Sequence, residues 1–211
     1  MNKNVKTGLV ILAAGSAKRF GTDKLLKEFD GKPLLQIVLD NLKDAPCYKK
    51  VVVVRPDFPV ERFDFSGYEM VLNHSHIYGI SSSLKVGFNA FLLEEPEGIF
   101  ITLGDMPFIY SSDIVEIRKR IVPEDPKIIS FVHEGKKGFP TFIPGKFFKR
   151  IMELHGDRGA SVLINDNKSA FIPLGGQKRH CFDIDTENDF KEALKTIERP
   201  EKAMGDTHRS R

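Results

Sequence analysis

Arg19 and Lys24 follow a loop almost without side chains, Ala13-Ala14-Gly15, which itself ends the apolar run Leu9-Val10-Ile11-Leu12. Small residues let a ligand lie against the backbone, and Gly15 and Gly21 can take the positive φ values of a phosphate-cradling turn. The Arg19 guanidinium offers a planar fork of donors and the Lys24 ammonium a mobile point charge, both suited to phosphate oxygens. Taken alone, the stretch fits an ordinary strand-to-helix turn with solvated cations equally well. Much further along, Gly104-Asp105-Met106-Pro107 closes a second apolar run, Gly98–Leu103. A carboxylate set beside phosphates needs a divalent cation between them, and Mg²⁺ binds through one or two carboxylates plus substrate phosphates. Asp183 and Asp185 stand two apart at the end of an expected strand. Both reach one cation if the strand persists through Ile184, and only one does if it breaks there. The plainer role for these acids is turn and cap chemistry.

Two further loops carry anion-binding potential. Gly79-Ile80-Ser81-Ser82-Ser83 is a hydroxyl-rich helix entry, and Gly156-Asp157-Arg158-Gly159-Ala160 opens a second helix with small residues. A plain N-cap is the simpler reading for any one of these serines. His74, His76, His133, His155 and His180 show no ligand spacing and read as solvated or locally hydrogen-bonded. GxxxxGK[ST], a GxGxxG after the first strand and a GxSxG elbow are all missing, which argues against P-loop, dinucleotide-binding and α/β-hydrolase chemistry.

The elements that must hold these residues follow from periodicity. Apolar runs at Gly8–Ala14, Lys50–Arg55, Glu69–Asn73 and Gly98–Leu103 read as strands, the continuous ones covered on both faces. Between them, Leu34, Leu35, Val38, Leu39 and Leu42 mark one helical face, with Pro33 at the first helical position. Leu84, Phe88, Phe91 and Leu92 mark another, capped by Ser81–Ser83, and Ile114, Ile117 and Ile121 a third, capped by Ser111-Ser112-Asp113. This alternation is the pattern of a mainly parallel sheet with helices on both faces. The second half adds a strand at Lys127–Val132, a turn at Glu134–Gly138 and a return strand at Phe139–Ile143, which makes one antiparallel element. Short helices follow near 146–154 and 159–164, strands at Ala170–Leu174 and His180–Asp185, and a helix from Thr186. In such a sheet ligands sit beyond the carboxyl ends of the strands, which puts Arg19, Lys24, Asn73 and Asp105 around one crevice.

Composition narrows the class. The 211 residues suit one large domain, and 32 basic against 29 acidic residues leave a net charge of only +3. No basic block argues for nucleic acid, and no run is long enough for a membrane span. Cys47 and Cys181 form no CxxC or Cys/His spacing, and Met1–Thr7 lacks the apolar core of a signal peptide, so the expected setting is the cytoplasm. Residues 199–211 lack apolar periodicity and read as a disordered tail.

Together these segments resemble the nucleotidyltransferases that attach a nucleotide to the molybdenum cofactor, and most closely the cytidylyltransferase branch. The resemblance rests on Leu12-Ala13-Ala14-Gly15, Arg19-Phe20-Gly21, Lys24-Leu25-Leu26 and Gly31-Lys32-Pro33-Leu34-Leu35. Further on it rests on Asn73, Gly79–Leu84, Gly87 and Leu103–Pro107. In the C-terminal half it rests on Gly138-Phe139-Pro140, Gly156–Ala160 and Asp183-Ile184-Asp185-Thr186. It implies a three-layer, Rossmann-like nucleotidyltransferase fold over residues 1–198. Leu12, Ala13, Ala14, Gly15, Asn73, Ser81, Ser82 and Gly104 would then line the nucleotide, with Arg19 and Lys24 on the triphosphate. Asp105 would hold Mg²⁺, with Asp183 or Asp185 as a second carboxylate. Gly138, Phe139, Pro140, Gly156, Asp157, Gly159 and Ala160 would lie on the acceptor side. Ala14 points to CTP, because the guanylyl branch resembles Leu-Ala-Gly-Gly here. The implied substrates are CTP and a phosphorylated pterin, with a molybdoenzyme receiving the product. Two positions depart from the pattern. Ala17 replaces a serine, with Ser16 beside it, and Phe139 replaces a histidine. Transfer from GTP, a sugar-phosphate acceptor, and a non-catalytic binding module are the competing readings.

Overall fold

A strand buried on both faces is mostly apolar, and the first strand, Thr7–Leu12 (β1), is fully buried along its length, with the hydroxyl of Thr7 engaged by Arg118. Leu9 and Ile11 belong to one core and Val10 and Leu12 to another, as the two-residue period of a strand requires. The computed structural model describes residues 5–15, 23–29 and 31–197. A short hairpin, Glu28–Phe29 (β2) with Lys32–Pro33 (β3), leads to the helix Leu34–Leu42 (α1). Next come Lys49–Val54 (β4), Glu69–Leu72 (β5), the helix Ile80–Asn89 (α2), Gly98–Leu103 (β6) and the helix Ser111–Arg118 (α3). The second half runs Ile128–His133 (β7), Lys136–Pro144 (β8), Phe148–Met152 (α4), Ala160–Asp166 (α5), Phe171–Gly175 (β9) and Glu187–Ile197 (α6).

The main sheet has seven strands in the order β5-β4-β1-β6-β8-β7-β9. β1 pairs in parallel with both β4 and β6, and β8 alone runs antiparallel, pairing with β6 on one side and β7 on the other. Residues of α1, α3 and α6 pack on one face with Val52, Val54 and Phe100, while residues of α2, α4 and α5 pack on the other with Val51, Val53 and Ile99. The expected three-layer, mostly parallel fold with an antiparallel element is the observed one. Among the described residues no helix is long and apolar enough to cross a membrane.

The local differences have physical causes. Pro33 lies in the β2–β3 hairpin and precedes α1 rather than opening it. Ser81, Ser82 and Ser83 lie inside α2, which starts at Ile80 behind Gly79 at φ 90°. A Cβ on Gly79 would also come within 2.6 Å of the Gly156 carbonyl group and 2.5 Å of Asp157 Oδ1, so the turn is closed to side chains twice over. Leu92 falls beyond the end of α2 and is exposed. His180–Asp185 is not a strand. Lys178–Cys181 is a 3-10 turn whose backbone crosses over the start of β8, and an added Cβ on Gly138 would meet the His180 carbonyl oxygen at 2.3 Å. The expected tail at 199–211, and Ser16, Ala17, Arg19, Phe20 and Gly21, lie outside the described residues.

Because Gly79 needs both a positive φ and the missing side chain, Gly79→Ala is expected to lower unfolding free energy by about 2 kcal/mol. The urea midpoint measures this.

Candidate active site

Backbone hydrogen bonds bring the ends of the central strands together. The Ala13 N–H donates to the Val53 carbonyl at 2.8 Å and the Gly104 N–H to the Leu12 carbonyl at 2.9 Å. The loop after β1 is thereby held between the ends of β4 and β6, with Ala13 and Ala14 buried and Gly15 exposed. Asp23 caps the 3-10 turn Lys24–Leu26 by accepting from the Leu25 N–H at 3.1 Å, and Leu25 is buried in the core below. That anchor presents Lys24 to the crevice.

The Lys24 ammonium sits between two carboxylates, 2.6 Å from Asp105 Oδ2 and 2.7 Å from Asp185 Oδ1. Burial works against its charge, but Asp105 and then Asp185 outweigh that, and its pKa lies above the usual lysine value. Burial lifts the Asp105 carboxyl above its ordinary range, with Lys24 pulling the other way and Asp185 adding to the rise. Desolvation and the charges of Asp105 and Asp185 likewise raise Asp183. The other Asp105 oxygen, Oδ1, is buried and has no hydrogen-bond partner among the described residues. A buried acceptor without a donor is costly, and a cation is the ligand that would satisfy it. No group of three or more His, Cys, Asp or Glu among the described residues gathers as a complete metal cage. One or two carboxylates with phosphates and water are the usual Mg²⁺ set, and Asp105 with Asp183 or Asp185 fits it.

Asp183 and Asp185 flank the fully buried Ile184, whose N–H donates to the Asp105 carbonyl at 3.2 Å. The acids therefore sit beside Asp105 without a strand to carry them. Their segment is tied down at both ends. At the far end Thr186 and Asp189 cap α6 reciprocally, the Thr186 N–H on Asp189 Oδ2 at 2.7 Å and the Asp189 N–H on Thr186 Oγ1 at 3.2 Å. At the near end Arg179 forks onto buried Asp113, with Nη1 on Oδ2 and Nη2 on Oδ1 at 2.7 Å each. His180 adds Nε2 on Asp113 Oδ1 at 3.2 Å while its Nδ1 accepts from the Gln177 N–H at 2.8 Å. Its ring also stacks on Phe131, centroids 3.9 Å apart. Sequence spacing gave no sign of this cluster, because its members lie far apart along the chain. Asp113 read there only as a helix cap, a role it also fills by accepting from the Tyr110 N–H at 2.8 Å.

The remaining expected site residues divide into two groups. Asn73 is fully buried and its amide is occupied within the chain, donating to Ser82 Oγ at 2.9 Å and Ser83 Oγ at 3.0 Å and accepting from the Ser75 N–H at 2.9 Å. The Ser82 hydroxyl donates to the Gly79 carbonyl at 2.8 Å, and the Ser81 N–H donates to the Gly156 carbonyl at 3.1 Å. This draws Ser81 and Ser82 against Gly156 and Asp157, with Gly159 and Ala160 starting α5 close by. Gly138, Phe139 and Pro140 lie in the first half of β8, with Gly138 beneath His180 and Cys181. Arg55, which the sequence reading passed over, closes β4 and pairs with Asp23. Its position directly after an apolar run was the available signal, the same one that marked Asp105.

The MobA-like NTP transferase domain family matches residues 9–170. This chain belongs to that family. It is a nucleotidyltransferase. Among its relatives, a Pyrococcus horikoshii protein named probable molybdenum cofactor guanylyltransferase is 29% identical over 148 residues, covering 70% of this chain and 72% of that one. Among solved structures, the Rv0371c homologue from mycobacterium sp. strain JC1 superposes with a TM-score of 0.78 at 26% identity, covering 92% of this chain and 98% of that one. The manganese complex of Rv0371C from Mycobacterium tuberculosis superposes with a TM-score of 0.72 at 22% identity, covering 91% and 99%.

Asp113 tests how firmly the nucleotidyltransferase holds its C-terminal acids. Burial alone would raise its carboxyl, but Arg179, His180 and the Tyr110 N–H bring it down from 3.8 to about 2. A depressed carboxylate contributes stability above its unfolded pKa and loses it as pH falls through the folded value, here between about pH 4 and pH 2. Asp113→Ala is expected to cost about 3 kcal/mol at neutral pH, since it leaves Arg179 without its carboxylate, with only the Phe108 carbonyl and Gln177 as acceptors. Urea titrations from pH 7 to pH 2 should show the two proteins converging as the wild-type carboxyl protonates.

Proposed function

We propose that the enzyme transfers GMP from GTP to the terminal phosphate of a molybdopterin-type acceptor and releases pyrophosphate. The observation that carries the reading is Asp105, placed at the end of β6 with Lys24 on one oxygen and a buried, unpartnered second oxygen. Such a carboxylate, in a chain of the NTP transferase family, suits a site for a metal-bound triphosphate. The name of the Pyrococcus relative supports guanosine and the molybdenum cofactor.

Transfer of this kind needs positioning and neutralisation of charge more than a general base. An acceptor phosphate is already a nucleophile at neutral pH, so no catalytic histidine is required. Its oxygen forms a bond to the α-phosphorus as the bond to pyrophosphate breaks. Asp105, with Asp183 or Asp185, would hold Mg²⁺, which when bound neutralises phosphate charge. Lys24 stands beside these acids and would share in binding the triphosphate. The Gly156–Ala160 loop, held against the start of α2, would lie on the acceptor side with Gly138–Pro140.

A second reading, transfer from CTP, rests on Ala13-Ala14-Gly15. The Ala14 side chain is buried with Val10, Leu12 and Leu84 in the core. Its methyl is thus engaged in packing, which weakens its value as a base selector.

Pyrophosphate release should be followed with each nucleoside triphosphate, Mg²⁺ and either molybdopterin cofactor or a panel of sugar phosphates. GTP-dependent release with the pterin acceptor is expected. Turnover with CTP in place of GTP would establish the second reading, and turnover only with a sugar phosphate would replace the acceptor. Asp105→Asn is expected to lower the rate about 100-fold or more, and a rate untouched by it would remove the metal role.

A further inference from the structure

The guanidinium of Arg55 is held in an unusual way. Nε pairs with Asp57 Oδ1 at 2.9 Å, Nη2 pairs with Asp23, and the guanidinium carbon lies 5.3 Å from the ring centroid of buried Phe58. The third nitrogen, Nη1, is buried and has no hydrogen-bond partner among the described residues. Leaving a charged donor unmade away from water is costly, whereas the two ion pairs and the ring have already fixed its direction. The side chain is therefore a preorganised donor without an acceptor.

Its place in the sheet indicates what that acceptor is. Lys24 and Asp105 meet where the strand order reverses, between β1 and β6. Arg55 stands beyond the end of β4, on the other side of the β1 loop, next to the Ala13–Val53 and Asn73–Val54 backbone bonds. In doubly wound sheets the phosphates lie over the first loop, and the nucleoside end is read from beyond the end of the neighbouring strand. We propose that Arg55 is a specificity-determining residue whose Nη1 donates to a carbonyl oxygen of the nucleobase, an inference that rests on the nucleotidyltransferase reading. Guanine presents O6 to such a donor, and cytosine presents O2. Adenine carries an amino group at the corresponding position and no carbonyl, so donor would face donor. Arg55 thus favours a carbonyl-bearing base, while Asp23, one residue before Lys24, ties that choice to the phosphate end of the same site.

Equilibrium titrations of the full chain with GTP, CTP, ATP and inorganic tripolyphosphate, each with Mg²⁺, test this. Wild-type protein is expected to favour GTP, or CTP if that is the substrate, over ATP. Arg55→Met should weaken the preferred nucleotide about tenfold or more and leave ATP and tripolyphosphate within about twofold, erasing the preference. Arg55→Lys keeps a cation beside Asp23 and Asp57 but lacks the third nitrogen. It should show the same loss, with a thermal melt confirming the fold. Equal weakening of all four ligands in both variants would make Arg55 a structural or phosphate contact and overturn the proposal. So would a wild-type protein that binds nucleotides without preferring either carbonyl-bearing base over ATP, although the nucleotidyltransferase reading would stand. A wild-type protein that binds neither nucleotides nor tripolyphosphate would overturn that reading itself and this proposal with it.

Discussion

One ammonium group joins three distant parts of the chain. Lys24 comes from the loop after β1, Asp105 from the end of β6 and Asp185 from the segment before α6, and the three meet within 2.7 Å contacts. Taking such charges out of water is expensive, so the arrangement holds only because other forces bring the groups together and the remaining donors and acceptors are mostly satisfied. Those forces are visible. Leu25 plants the lysine turn in the core, the Gly104 N–H locks the end of β6 to β1, and buried Ile184 brings the C-terminal acids alongside. Among the described residues Asp105 Oδ1 is a buried acceptor left without a donor, and there the site departs from full satisfaction. Such departures are expected where a protein must bind something.

The C-terminal segment shows how support and chemistry are divided. Asp183 and Asp185 have no regular strand beneath them. They are held by a buried ion cluster on one side, Arg179 and His180 on Asp113, and by the Thr186–Asp189 box on the other. The cluster also seats His180 over Gly138 and against Phe131, so the start of β8 and the acids before α6 share one foundation. A disturbance at Asp113 would therefore reach both the acids before α6 and the start of β8.

Much of this was legible in the residues. Continuous apolar runs such as Val51–Val54 could only be strands covered on both faces, and the alternation of those runs with helical faces fixed the layer architecture. Asp105 could be located because an acid directly after a buried strand falls at the ligand end of a parallel sheet. Arg55 obeys the same rule after β4, although along the chain it reads only as the last residue of a strand. Asn73 was expected on the nucleotide, but its amide is spent on Ser75, Ser82 and Ser83, a pairing no spacing rule encodes. His180–Asp185 read as a strand from its alternating pattern. Tertiary contacts instead gave that alternation its meaning, with Ile184 inward and the two acids outward.

The parallel sheet and its helical layers were readable along the chain, and so was the expectation that the loops after β1 and β6 face a ligand. These follow from hydrophobic period and residue type, which act locally. Folding was needed to share Lys24 between Asp105 and Asp185, to pin Arg55 with one nitrogen left over among the described residues, and to anchor the last acids on Asp113. Each of these is an ion pair between residues brought close by folding. Charge pairing acts through space, and its partners are set by where the core places them rather than by their order along the chain.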